Sequence, residues 1–166
     1  VTNGGTPSIT GSGTSFTVTV TASGQGNVTI APAAGFSVSD VAGNATTTAG
    51  GTDRTVTYDI TAPTLTLAQA AGQADPTNNS SIQFTLSSNE TIDASTVTTG
   101  DFTATGGTVA SVTGSGTSFT VTATASGQGN VTIAPAAGFS VGDIAGNAAT
   151  TAGGSDRQVT YDITAP

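Results

Sequence analysis

The segment SFTVTVT, residues 15–21, alternates apolar side chains with hydroxyl side chains. Phe16, Val18 and Val20 therefore face one side of an extended chain and the threonines face the other, which is the pattern of a half-buried β-strand. The same segment returns as SFTVTAT at residues 118–124, an offset of 103 residues. A strand that recurs at this distance indicates that whole β domains, rather than short solenoid units, are repeated.

The repeat extends far beyond this strand, because residues 8–63 align with residues 111–166 and only seven of the 56 aligned positions differ. The differing pairs are Ile9/Val112, Val20/Ala123, Ser39/Gly142, Val41/Ile144, Thr46/Ala149, Thr52/Ser155 and Thr55/Gln158. The sequence thus predicts two modules. Residues 64–166 form a complete module, large enough to bury its own core, and residues 1–63 correspond to the C-terminal part of another, without its N-terminal strands.

Alternation and turn residues predict strands throughout the complete module, near residues 64–68, 81–87, 101–104, 108–113, 117–124, 129–134 and 157–163. No window has helical periodicity, and the segment from Asp93 to Val97 predicts one helical or 3₁₀ turn at most. Seven short strands separated by Gly, Asn and Ser turns predict an all-β fold of the sandwich type.

Four segments resemble the immunoglobulin-like (Big-type) tandem repeats of large bacterial cell-surface adhesins and extracellular fibres. They are DITAP at 59–63, GQADP at 72–76, DIAGN at 143–147 and VTYDI at 159–163. The resemblance covers the whole chain and implies tandem immunoglobulin-like β-sandwich modules in an extracellular, cell-surface or matrix location. Their partners would be adjacent modules of the same polypeptide or copies of the chain in a fibre, and we expect this chain to be a segment of such a longer protein.

The charge composition argues against several function classes. The net charge is −8, with no Lys, His or Cys, so we expect no binding to nucleic acid, whose phosphates require clustered Lys and Arg. The missing residue types exclude disulfides and the usual His- or Cys-based nucleophiles, and we expect no enzymatic activity. No apolar run approaches the ~18 residues of a membrane-spanning helix. Arg54 and Arg157 each follow an Asp, which predicts a local ion pair.

The acidic residues predict a calcium site if the resemblance holds, because several loops of an immunoglobulin-type module lie at the end that faces the preceding module. The predicted ligands at this end are Glu90, Asp93, Asp101, Asp143, Asn147 and Asp156, with Asp59 from the linker. Asp40, Asn44 and Asp53 repeat part of this set in the first copy. Clustered carboxylates repel one another unless a cation lies among them, and oxygen-only ligands suit Ca²⁺. The alternative is that these carboxylates are solvated loop residues that keep the protein soluble.

Together these features predict structural repeat modules of an adhesin stalk or fibre, stiffened by calcium at the module junctions. The alternative is a self-assembling extracellular filament or sheath subunit, in which neighbouring chains complete the first module by strand exchange. A carbohydrate-binding module is a third hypothesis. The composition argues against it, because such a module requires exposed aromatic platforms and the chain contains no Trp.

Overall fold

The computed structural model describes all 166 residues, and the chain divides into two compact units, Val1–Ile60 and Thr61–Pro166. Apart from two 3₁₀ turns, every regular element is a β-strand, which confirms the prediction of an all-β protein. None of the helical segments has the length and apolar character needed to cross a membrane.

The first unit contains six short strands: β1 (Ser8–Ser12), β2 (Ser15–Thr19), β3 (Gly26–Thr29), β4 (Val38–Ser39), β5 (Ala45–Thr46) and β6 (Thr55–Tyr58). They form three antiparallel pairs, β1 with β2, β3 with β6 and β4 with β5, and no sheet in this unit has more than two strands. Most of the apolar side chains on these strands are at least partly exposed.

The second unit contains nine strands: β7 (Leu65–Gln69), β8 (Ser81–Ile92), β9 (Phe102–Thr105), β10 (Gly107–Ala125), β11 (Gly129–Pro135), β12 (Val141–Gly142), β13 (Ala148–Ala149), β14 (Ala152–Gly153) and β15 (Gln158–Tyr161). One sheet has the order β10-β8-β7-β14, a second has the order β15-β11-β9, and β12 pairs with β13. Two 3₁₀ turns, Ala94–Thr96 and Thr99–Asp101, connect β8 to β9. The first of them is the predicted turn after Asp93.

Alternate side chains of the two larger sheets pack into one hydrophobic core, so the second unit has a β-sandwich-like architecture. The first sheet contributes Leu67 and Phe84, and the second contributes Val131 and Ile133, all with no exposed surface. The core requires period-two alternation on both sheets, and SFTVTAT and its neighbours supply it.

Strand β10 spans two of the predicted strands, 108–113 and 117–124, and the chain reverses within it. A Cβ atom on Gly107 would lie 2.5 Å from the carbonyl oxygen of Thr124, and one on Gly114 would overlap the carbonyl oxygen of Ser118. The two arms therefore lie side by side, and the predicted turn at 114–116 is where the chain reverses.

The two arginines bind main-chain carbonyls rather than the aspartates that precede them. Arg157 Nη2 donates to the carbonyl oxygen of Ala152 at 2.7 Å, and Arg54 Nη2 donates to those of Ala49 and Gly50 at 2.5 and 3.0 Å. The predicted local ion pairs are therefore wrong. Each arginine instead holds the segment of chain that precedes the last strand of its unit, β6 or β15.

Candidate metal centre

One end of the second unit is defined by the start of β7. The main-chain N–H of Thr64 donates to Asn89 Oδ1 at 2.7 Å, the N–H of Asn89 donates to the Thr64 carbonyl at 3.2 Å, and Leu65 lies opposite Ser88. Glu90 therefore lies on β8 just beyond the point at which β7 begins, and its side chain is half-buried.

Asp143 opens the tight loop DIAGN that joins β12 to β13, and Asn147 closes it. The N–H of Asp143 donates to the Asn147 carbonyl at 3.0 Å. In return, the N–H and Nδ2 of Asn147 donate to the two carboxylate oxygens of Asp143, each at 2.9 Å. Asp143 is 4 % exposed. The hydrogen bond from the Asn147 side chain lowers the pKa of Asp143 despite the opposing effect of burial, so the carboxyl group stays ionised.

The corner after β8 holds this loop against Glu90. Ile92 forms an antiparallel bridge with Asp143, and the N–H of Asp93 donates to the Gly142 carbonyl at 3.0 Å. The Thr96 hydroxyl accepts the N–H of Gly142 at 3.0 Å. As a result, a carboxylate oxygen of Glu90 lies within 4.8 Å of one of Asp143.

This pair has the chemistry and spacing of two ligands to one Ca²⁺ ion. Calcium binds carboxylate oxygens at about 2.3–2.6 Å, so two of its ligand atoms can lie up to about 5 Å apart. Each carboxylate oxygen has two lone pairs, and Asp143 can therefore accept from Asn147 and still coordinate a cation. Without a cation, two carboxylates this close repel each other.

Two further predicted ligands, Asp93 and Asp101, do not join the pair. Asp93 caps the first 3₁₀ turn, where its Oδ1 accepts from the N–H and Oγ of Ser95 at 2.9 and 2.8 Å. These two hydrogen bonds lower the pKa of Asp93, and the bond from the Ser95 side chain has the larger effect. Asp101 accepts from the N–H and Oγ1 of Thr98 at 2.7 and 2.8 Å. Both carboxylates stabilise local turns.

The prediction that Asp156 lies at this end of the module is wrong. β14 runs parallel to the start of β7, with Ala152 beside Leu65, and the chain continues along β7 until the carbonyl of Asp156 accepts the N–H of Gln69 at 2.6 Å. Gln69 is four residues from Leu65, which places Asp156 roughly 13 Å further along the strand. The parallel run of 152–156 along β7, which sequence periodicity does not reveal, carries Asp156 away.

The first unit repeats the Asp143 loop at Asp40. The N–H and Nδ2 of Asn44 donate to the two oxygens of Asp40 at 2.8 and 2.9 Å, and these bonds lower its pKa. Both residues are exposed, as is Asp53. Asp59 is half-buried, and its Oδ1 accepts from Gln25 Nε2 at 2.8 Å.

Sequence reasoning missed a glutamine that holds the end of each repeat. Gln128 Nε2 donates to Asp162 at 2.8 Å, and its Oε1 accepts the N–H of Ile163 at 2.7 Å. Gln25 makes the same two contacts with Asp59 and Ile60. The repeated segment SGQGN has the composition of a turn, and nothing in it shows that the glutamine reaches the residues just after a strand, about 35 positions further along the chain.

Comparison with protein-family models, with curated proteins and with solved structures found no match to this chain. A function is therefore best argued from the geometry of the two repeats and of the Glu90–Asp143 pair.

Proposed function

We propose that this chain consists of structural repeat modules with an immunoglobulin-like β-sandwich fold, which build an extracellular adhesin stalk or fibre. The observation that carries this proposal is the near-identity of residues 8–63 and 111–166. Near-identical modules suit a protein whose task is to span distance, because length grows with the number of copies and needs no new chemistry. The role is mechanical rather than catalytic.

Calcium stiffens the junctions between modules in this proposal. Glu90 and Asp143 are the core of the site, and they lie at the end of the second unit where the linker enters. Asn147 holds Asp143 in place. Asp59, five residues before Thr64 in the chain, is proposed from the sequence as a third carboxylate. A cation here removes the repulsion between the carboxylates and fixes the start of β7.

A thermal melt of the 166-residue chain in EDTA and then in millimolar Ca²⁺ tests the calcium proposal. A ligand present at 100 times its Kd stabilises the folded state by about 2.7 kcal/mol, so the melting temperature of the second unit should rise by several degrees. Glu90→Gln should abolish the rise. The matched control is Asp40→Asn, which alters the same loop in the first unit and should leave the rise intact. A melting temperature that is the same in EDTA and in Ca²⁺ contradicts the proposal.

The second candidate is a self-assembling filament or sheath subunit, and the exposed apolar side chains of the first unit favour it. An open β-strand edge beside an apolar face is a site for strand addition. This candidate predicts that the purified chain forms long polymers whose length increases with concentration. Light scattering after size-exclusion chromatography tests it, and a monomer at high concentration contradicts it.

A further inference from the structure

Both repeats contain an equivalent hairpin, β1–β2 in the first unit and the two arms of β10 in the second. The two units differ in what covers one edge and one face of this hairpin. In the second unit β8 pairs with the second arm of β10, in a register that places Leu86 opposite Phe119, Phe84 opposite Val121 and Ile82 opposite Ala123. All six side chains are buried, with at most 3 % of their surface exposed. β8 therefore supplies both main-chain hydrogen bonds and core side chains to this arm.

The same arm in the first unit has no such partner. β2 pairs only with β1, which leaves its other edge open. Phe16 and Val18, the counterparts of Phe119 and Val121, keep 57 % and 45 % of their surface exposed. Beside Val18 lies an open cavity of about 580 Å³, and Asp53, Arg54 and Thr55 form part of its lining. Its apolar lining residues include Val18, Val20, Val28, Ile30 and Val56. The counterparts of these lining residues form the closed core of the second unit.

We propose that the open edge of β2 and this apolar face form a binding site for a polypeptide segment with the sequence pattern of residues 64–103, supplied by a further repeat of the protein. The segment adds a strand to β2 and inserts its alternating Ile, Phe and Leu side chains into the cavity, as β8 inserts its own into the core of the second unit. This inference rests on the tandem-repeat part of the proposed function and not on calcium.

Exchange of residues 64–103 between copies of the 166-residue chain, as the filament candidate requires, covers a first unit only by uncovering a second unit, so it is disfavoured as the way to fill this site. Each chain contains two receiving faces, within residues 8–63 and 111–166, and one covering segment, residues 64–103. A segment that moved to the first unit of a neighbour would expose the core of its own second unit. The number of covered faces would stay the same and association entropy would be lost. The occupant therefore has to be an additional segment.

A symmetric dimer of two open faces satisfies the geometry less well. It would bury the apolar side chains but supplies no strand at the edge of β2. Buried main-chain N–H and C=O groups without partners cost free energy. In the second unit, β8 both buries the apolar side chains and pairs with the strand edge, for nearly the same residues. This favours a strand donor as the occupant.

Val20 sets a preference within the donor. Its counterpart, Ala123, lies fully buried directly opposite Ile82. Val is larger than Ala by two methyl groups, so a donor with Ile at this position overfills the first unit. The segment that fits best carries a smaller residue there, such as Val. This makes the site distinguishable from the core of the second unit, where Ile82 fits.

The test titrates a fluorescently labelled peptide of residues 64–103 with the complete 166-residue chain in EDTA and follows fluorescence anisotropy. We expect saturable binding with one peptide per chain. A peptide with Phe84→Ser and Leu86→Ser should bind at least about 100-fold more weakly, since both side chains leave the cavity. A peptide with Ile82→Val should bind the chain more tightly than the unaltered peptide does.

Two substitutions in the 166-residue chain are compared: Val18→Asp in the first unit and, as the matched control, Val121→Ala at the equivalent position of the second unit. Val18→Asp should abolish binding and leave the melting temperature of the second unit unchanged, whereas Val121→Ala should lower that temperature and leave binding intact. Absence of binding, or equal binding of the doubly substituted peptide, would overturn the proposal. A concentration-dependent dimer that dissociates when Val18→Asp is introduced would also overturn it. The EDTA buffer keeps this result separate from that of the calcium experiment.

Discussion

Phe16 and Phe119 occupy the same position in two nearly identical sequences, yet Phe16 keeps 57 % of its surface exposed and Phe119 keeps 3 %. Both residues lie in the segment SFTVT and both belong to an antiparallel hairpin arm. The difference is the presence of Leu86 opposite Phe119. Burial in this protein is thus decided by a strand that lies more than 30 residues away in the chain, and not by the local pattern.

This difference predicts unequal effects of the same substitution. Phe119→Ala removes a buried ring and leaves a cavity, so it should destabilise the second unit by about 3–5 kcal/mol. Phe16→Ala alters a side chain that is largely solvated and should change stability by less than about 0.5 kcal/mol. Denaturant unfolding followed by circular dichroism measures both. Equal losses for the two variants would contradict the burial described here.

The longer strands of the second unit were predictable because alternation is a local property. The two-residue strands β12, β13 and β14 were not predicted, and neither were the partners of the strands. SFTVTAT identifies a β-strand by itself, and the Gly-rich segment at 114–116 identifies the reversal. The parallel run of β14 along β7 and the sheet to which each strand belongs depend on contacts between distant residues. Asp156 was misplaced for this reason, since its position follows from that parallel run.

The candidate metal centre was predictable in part. Glu90 and Asp143 lie close together as predicted, because the end of β8 and the β12–β13 loop meet at one end of the unit. Asp93 and Asp101 were assigned to the same set because the resemblance places their loops at that end of the module, although each is followed or preceded by Ser or Thr at the spacing of a local cap. A local partner of this kind was the signal available in the sequence.

The Asp143 loop predicts a second pair of unequal substitutions. Both carboxylate oxygens of Asp143 accept hydrogen bonds from Asn147. An amide at this position removes the charge that strengthens both hydrogen bonds and replaces one acceptor oxygen by an NH₂ group. We expect this loss to outweigh the relief of the repulsion between Asp143 and Glu90, so Asp143→Asn should lower the melting temperature of the second unit even in EDTA. Asp40→Asn makes the same change in an exposed loop and should leave that temperature unaltered. Differential scanning calorimetry resolves the transition, and an unchanged Asp143→Asn protein would contradict the role of the loop.

Asp162 predicts a pH-dependent loosening of the end of the second unit. The N–H of Thr164 and then the side chain of Gln128 lower the pKa of this carboxyl. A lowered pKa in the folded state means that the carboxylate stabilises the fold above the unfolded value, about 3.9, and that this contribution is lost as the pH falls through the folded pKa. Carboxyl ¹³C shifts should show titration below the usual range. Gln128→Ala should raise the pKa towards it, with Gln25→Ala as the control that leaves Asp162 unchanged.

The reversal within β10 predicts that its two glycines tolerate substitution differently. Gly114 has a φ of +135°, and a Cβ there would overlap the carbonyl oxygen of Ser118 on the adjacent arm. Gly116 has a φ of +69° and open space around the position of a Cβ. Gly116→Ala should therefore cost about 1–2 kcal/mol, the usual penalty of a left-handed conformation. Gly114→Ala should cost more than about 3 kcal/mol, because the two arms have to separate as well. Denaturant unfolding of both variants provides the comparison, and a Gly114→Ala protein as stable as the Gly116→Ala protein would show that the arms do not approach this closely.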